Sequence, residues 1–119
     1  MAGYDSLEGE IWMDGKFIEW KNAKVHFLTH ALHYGSGVFE GMRAYNGSIF
    51  KLTEHNQRLI DSAKILDMKI PYTVEELNDI CYETLERNNL KNAYIRPLAW
   101  RGSEMMAISA QASTIHVGV

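Results

Sequence analysis

The run His30-Ala31-Leu32-His33-Tyr34-Gly35-Ser36-Gly37-Val38-Phe39-Glu40-Gly41-Met42-Arg43-Ala44-Tyr45-Asn46-Gly47 leaves this chain few ways to fold. A short turn-like run ends at Tyr34, where Gly35 and Gly37 allow a bend that a side chain would obstruct. Val38 to Tyr45 alternates as a strand does. It stops at Asn46-Gly47, a dipeptide whose residues both tolerate the positive φ of a type I′ hairpin turn. Ser48 to Leu52 then reads as the return strand. Period 2 places Phe39, Gly41, Arg43 and Tyr45 on one face. Phe39 beside Gly41 makes a shelf next to a gap, which fits the wall of a small apolar pocket. It also fits a core strand with a glycine bulge.

A second hairpin signal lies upstream. Glu10 to Met13 and Lys16 to Trp20 read as strands around Asp14-Gly15, and Ala23 to Leu28 alternates weakly as a third strand. Met1 to Gly9 is polar and acidic; it reads as a flexible arm and not as a secretory signal. Downstream the period becomes helical. Thr53 is placed to cap a helix and Glu54 suits its first turn. Leu52, Leu59, Ala63 and Leu66 form one stripe, which should stop near Met68, ahead of Pro71. Thr73-Val74-Glu75-Glu76 is a capping box. It opens a second helix with the stripe Val74, Leu77, Ile80, Cys81 and Leu85, and Asn88-Asn89 as its stop. Ala93 to Trp100 reads as a strand in which Pro97, with no N–H to donate, needs an edge or a bulge. Arg101 to Ala112 reads as a loop and Ser113 to Val119 as a last strand. Strands, two helices and strands again predict an α+β fold, an antiparallel sheet with two helices packed on it.

A chain of 119 residues suffices for one domain that buries roughly two-thirds of its unfolded surface. A net charge of -3 offers no broad basic surface for nucleic acid, and no apolar run nears the ~20 residues of a membrane span. Cys81 is the only cysteine. No intramolecular disulfide can form, which suits a reducing cytoplasm.

Three sets of polar residues could carry chemistry. Arg58 lies off the buried stripe, where its guanidinium could take a phosphate through paired charge-assisted bonds or pair with Glu54 or Asp61 at the surface. Tyr94 and Arg96 are two apart in a strand and face the same way, so a phenol and a guanidinium could converge on a carboxylate. An edge strand with a snorkelling arginine has the same spacing. His30 and His33, three apart and near His26, have a spacing that zinc can use, but no carboxylate or cysteine completes a ligand set. Satisfied or surface histidines are expected there, and no metal.

The run HALHYGSGVFEGMRAY resembles the N-terminal part of the branched-chain amino acid aminotransferases, in the class IV, D-amino-acid-aminotransferase-like group of pyridoxal-phosphate enzymes. IWMDGKFIEWKNAKVH, EHNQRLIDSAKIL and NAYIRPLAWRGSEMM resemble the same family in the same order. The likeness therefore runs from Ile11 to Val119. It implies that residues 10–119 are the small domain of that fold, within a cytoplasmic homodimer or higher homo-oligomer. It implies transfer of the amino group of leucine, isoleucine or valine to 2-oxoglutarate, with glutamate as product and pyridoxal 5'-phosphate as cofactor. Arg58 matches the arginine that contacts the cofactor phosphate. The resemblance also implies that Tyr94 helps hold a substrate carboxylate and that Arg96 meets the side-chain carboxylate of glutamate. Phe39 and the space at Gly41 would pack the aliphatic side chain. Tyr34 and Ile108 match positions that reach the pocket of the neighbouring subunit. Tyr34 would bring its hydroxyl to the charged substrate.

Transamination needs a lysine amine that forms the Schiff base with the cofactor and shuttles the proton. The family's lysine lies in a larger C-terminal domain, and none of Lys16, Lys21, Lys24, Lys51, Lys64, Lys69 or Lys91 stands in a matching context. The expectation is an N-terminal fragment, truncated before the lysine domain, inactive alone and without bound cofactor. A D-amino acid aminotransferase or an aminodeoxychorismate lyase of the same fold is the alternative reading. A stand-alone binding or dimerisation module is another.

Overall fold

The structure is a computed structural model that describes residues 3–105 and 107–119. Met1 and Ala2 of the expected arm, and Met106 of the expected loop, lie outside the described residues. Strands β1 (Glu10–Met13) and β2 (Lys16–Glu19) pair across Asp14-Gly15, both of which take positive φ as the hairpin requires. The strand expected over 23–28 does not form. Thr29 donates its N–H and its hydroxyl to the His26 carbonyl, at 3.0 and 2.6 Å, and the Leu28 N–H donates to His26 Nδ1 at 3.0 Å. These local bonds compete with a ladder and turn the chain into α1 (His30–Tyr34), which ends at Gly35 in the left-handed region.

The segment expected as one strand from Val38 to Tyr45 is two, β3 (Gly37–Phe39) and β4 (Met42–Tyr45). The segment from Ala93 to Trp100 is likewise β6 (Ala93–Ile95) and β7 (Leu98–Arg101). The two breaks face each other. Phe39 opposes Leu98 on one side and Met42 opposes Ile95 on the other, so the antiparallel register crosses the break without a slip. Pro97 explains the break, because it has no N–H for the ladder. Its carbonyl still accepts the Glu40 N–H at 3.0 Å.

One bent ribbon thus passes from a five-stranded sheet, order β2-β1-β8-β7-β3, to a three-stranded one, order β5-β4-β6. Here β5 is Ser48–Ile49, shorter than expected because Leu52 already starts a helix, and β8 is Ile115–Gly118. The expected single antiparallel sheet is two antiparallel sheets, and the α+β class stands.

In helix α2 (Leu52–Ile65) the N-cap position falls on Lys51, at φ 56° and with no side-chain capping bond, and not on Thr53. The Thr53 hydroxyl instead accepts from Asn78 of the next helix at 3.0 Å. α2 stops at Ile65, short of Met68. Leu66 leaves the stripe for the surface, and Met68 takes its place in the core beside Leu59 and Ala63. The capping box of α3 (Val74–Arg87) forms as predicted, with reciprocal bonds between Thr73 and Glu76 of 3.0 and 3.1 Å. Leu77 and Ile80 of α3 pack with Trp12, Ala99 and Val117, while Cys81 and Leu85 pack with Met42, Ala44 and Ile95. α3 therefore joins the cores of both sheets. Each of the buried Leu, Ile, Val and Met side chains among these stabilises the fold by about 1.5–3 kcal/mol. Among the described residues no helix is long and apolar enough to cross a membrane.

Candidate functional site

The break in the ribbon builds the site. Residues opposite one another in an antiparallel ladder share a face. Glu40, Met42, Ala44, Ile95, Pro97 and Ala99 are buried on one face, and Phe39, Arg43, Tyr94, Arg96 and Leu98 are exposed on the other. The Arg96 guanidinium lies 4.2 Å from the centre of the Phe39 ring and donates to the Tyr94 phenolic oxygen from Nη2 at 2.9 Å and from Nε at 3.3 Å. Gly41 leaves the space that the Tyr94 hydroxyl fills; a Cβ at residue 41 would overlap it. Phe39, Gly41, Tyr94 and Arg96 are thus brought together.

The arrangement combines three surfaces. Phe39, 57% exposed, is an apolar wall. The Arg96 cation rests on that wall, an attraction of about 0.5–1 kcal/mol at an exposed site. Because the Tyr94 oxygen accepts from Arg96, its O–H remains to donate elsewhere. A carboxylate placed there meets a hydroxyl donor and a guanidinium together.

Arg58 pairs with neither Glu54 nor Asp61. Glu54 is taken by Lys51 at 3.3 Å and Asp61 by Gln57 at 3.0 Å. Arg58 turns instead to Glu40, donating from Nε at 2.6 Å and from Nη2 at 2.8 Å. His55, one turn earlier on α2, meets the same carboxylate at 2.7 Å. The Arg58 bond holds the Glu40 carboxyl below its ordinary range; burial opposes this and His55 adds to it. Glu40 in turn raises the Arg58 guanidinium. Glu40 is not among the sequence-predicted site residues, although period 2 puts this lone charge among Met42 and Ala44 on the buried face.

A guanidinium has five N–H donors. Two serve Glu40, and Nη1 has no hydrogen-bond partner among the described residues. The side chain is 66% exposed. Arg58 therefore fits a phosphate: it is held at one edge and open at the other.

Among the described residues neither Tyr34 nor Ile108 hydrogen bonds to Tyr94 or Arg96. Tyr34 is at the end of α1 and Ile108, 88% exposed, is in the loop after β7. His30 brings the two regions together. It is buried, its ring lies 4.6 Å from that of Tyr34, and it pairs with the Ser36 hydroxyl at 2.6 Å and the Ala107 carbonyl at 2.8 Å. His33 meets the Phe27 carbonyl at 2.8 Å. His26, His30 and His33 each have a structural partner, and among the described residues no three His, Cys, Asp or Glu side chains converge to hold an ion.

Residues 37–118 match the family described as amino-transferase class IV. The branched-chain-amino-acid aminotransferase of Pseudomonas aeruginosa is 47% identical over 114 residues, covering 92% of this chain and 37% of that protein. The T.th. branched-chain amino acid aminotransferase, complexed with N-(5'-phosphopyridoxyl)-L-glutamate, superposes with a TM-score of 0.88 at 43% identity, over 93% of this chain and 40% of that one. The same enzyme complexed with 4-methylvaleric acid gives a TM-score of 0.83 at 42% identity, over 93% and 40%. The chain thus spans about 37–40% of the length of these relatives. The matched stretch runs through the break where Phe39, Gly41, Tyr94 and Arg96 meet, and the chain belongs to the class IV aminotransferase family.

Proposed function

We propose that this chain forms the substrate-facing and phosphate-facing side of a branched-chain amino acid aminotransferase, which moves the amino group of leucine, isoleucine or valine to 2-oxoglutarate. One observation carries the reading: the Arg96 guanidinium rests on the Phe39 ring and bonds to Tyr94 beside Gly41. A pocket that serves both half-reactions must take an aliphatic side chain and a carboxylate in turn. The exposed Phe39 ring suits the first, whereas the space expected at Gly41 is taken by the Tyr94 hydroxyl. Arg96 and the free O–H of Tyr94 suit the second. The two complexes of the T.th. enzyme support this, since one holds a glutamate adduct and the other 4-methylvaleric acid, the carbon skeleton of leucine without its amino group.

Arg58 would hold the phosphate of pyridoxal 5'-phosphate through its open edge. The cofactor, when bound, supplies the electron sink for the carbanion left at the substrate Cα. The lysine that bears the cofactor is assigned to further polypeptide. The support for that is the length of the relatives and the absence of a matching context around any lysine here. Residues 10–119 are then the small domain. Tyr34 and Ile108 are assigned to the interface with a second cytoplasmic copy, whose pocket they would complete.

Amino transfer from L-leucine to 2-oxoglutarate, by the aminotransferase that carries this chain, tests the reading. L-leucine should be turned over, and D-alanine and aminodeoxychorismate should not. Turnover of either comparator without leucine would move the chain to a different branch of the family.

A further inference from the structure

Glu40 is the one charged residue on the buried face of the β3–β4 ribbon, 5% exposed among Met42, Ala44 and Ile95. A carboxylate in such a place is tolerated only when it is paired and hydrogen bonded. Glu40 is doubly so. Arg58 grips it at both oxygens through Nε and Nη2, and His55 meets it from one turn away on the same helix. Its backbone N–H donates to Pro97 on the facing strand, at 3.0 Å. Glu40 therefore joins three pieces at the break: α2, the end of β3, and the bend between β6 and β7. Its sequence neighbours are Phe39 and Gly41, and the neighbour of Pro97 is Arg96.

We propose that Glu40 is a positioning residue that couples the two ends of the site, orienting Arg58 for a phosphate while fixing the Phe39–Gly41 wall. The inference rests on the assignment of Arg58 to the cofactor phosphate. An arginine tied at its Nε–Nη2 edge can turn only about that edge, so its remaining N–H groups point one way. Without the carboxylate, a long side chain this exposed samples many rotamers, and ordering it costs binding energy. The wall is affected through the backbone. The Glu40 side chain anchors the residue between Phe39 and Gly41 to α2, where Pro97 has removed one ladder bond.

Glu40→Gln tests the coupling. It keeps the size, but its NH2 group faces the guanidinium donors, so the two-point grip is lost. In the aminotransferase that carries the chain, the dissociation constant for pyridoxal 5'-phosphate should rise about tenfold, the scale of one charge-assisted orientation lost. Nitrogen-15 NMR of the full chain gives a readout independent of activity: the Arg58 Nε–H signal should lose its protection from exchange, and the Phe39 and Gly41 amide signals should shift. The double variant with Arg58→Ala should bind cofactor no more weakly than Arg58→Ala alone, because Glu40 acts through Arg58. An Arg58 signal unchanged by Glu40→Gln, or further weakening in the double variant, would overturn the proposal. Cofactor affinity unchanged in Arg58→Ala alone would overturn the phosphate assignment and leave the NMR result to judge the positioning. Should Glu40→Gln fail to fold, Arg58→Ala reads the same coupling from the other end. Phe39 and Gly41 amide signals that stay in place would then refute it.

Discussion

Tyr94 stands where it does because Gly41 has no side chain: a methyl group at residue 41 would overlap the phenolic oxygen. That oxygen is also the acceptor for Arg96. A single carbon added at position 41 therefore reaches the guanidinium through the phenol.

Gly41→Ala should act on the site and spare the fold. The obstructed atoms are the hydroxyl and Cζ at the far end of the exposed Tyr94 side chain, which yields before the backbone does. The cost to stability should stay near the ~0.5 kcal/mol of an ordinary surface change. KM for the amino and oxo acid substrates should rise about tenfold, one misplaced hydrogen bond's worth. Thermal melts and steady-state kinetics on the same variant check both. A large fall in melting temperature with unchanged KM would make Gly41 a folding residue.

Local chemistry was legible where it acts alone. The Thr73–Glu76 capping box and the Asp14-Gly15 and Asn46-Gly47 turns need only near neighbours, and they formed as predicted. The pairing of Tyr94 with Arg96 also follows from period 2. The bend in the ribbon was half visible: Pro97 announced a fault in one strand, but only the register shows that the facing strand breaks opposite it. Glu40 was hidden because its partners, His55 and Arg58, are 15 and 18 residues away. A buried carboxylate makes sense only once α2 is packed against the break. The weak strand over 23–28 lost to hydrogen bonds from the His26 turn, which periodicity does not count.

The cluster of His116, Asp14 and Glu104 should give the fold a pH window. His116 meets Asp14 at 2.6 Å and Glu104 at 2.9 Å, tying β8 to the first hairpin and to the loop after β7. Burial pushes the His116 pKa down, but the two carboxylates outweigh it and the net shift is upward from 6.5. Burial pushes Glu104 up, and bonds from His116 and from backbone amides outweigh that, so its net shift is downward from 4.5. The histidine contribution is full below about pH 6.5 and is lost as pH rises through the raised folded value. The Glu104 contribution is full above about pH 4.5 and is lost as pH falls through the lowered folded value. Stability from this cluster should therefore peak between these limits. Melting temperature followed against pH should show the rise and fall, and His116→Gln should flatten it. A variant that keeps the same profile would place the dependence elsewhere.

Cys81 should be inert while the chain is folded. Burial pushes its thiol up to about 11, against a smaller opposing bond from Asn56. The thiolate is the nucleophile, so a thiol reagent at pH 8 finds almost none of it. Labelling should follow global unfolding in denaturant. Rapid labelling of the native chain would mean that α3 opens locally from the two cores it joins.

The central claim is that one pocket serves two substrates by dividing them between Arg96 and the Phe39–Gly41 wall. Arg96→Leu in the aminotransferase that carries this chain removes the cation and keeps an apolar side chain on Phe39. An unpaired ligand carboxylate in a pocket costs about 1–3 kcal/mol, or about ten- to a hundredfold in rate. The two half-reactions can be followed separately from the cofactor spectrum. Glutamate and 2-oxoglutarate should slow by that factor while leucine and its oxo acid keep their rates. An equal loss for both pairs would contradict the account and assign Arg96 to the carboxylate the substrates share, or to the fold.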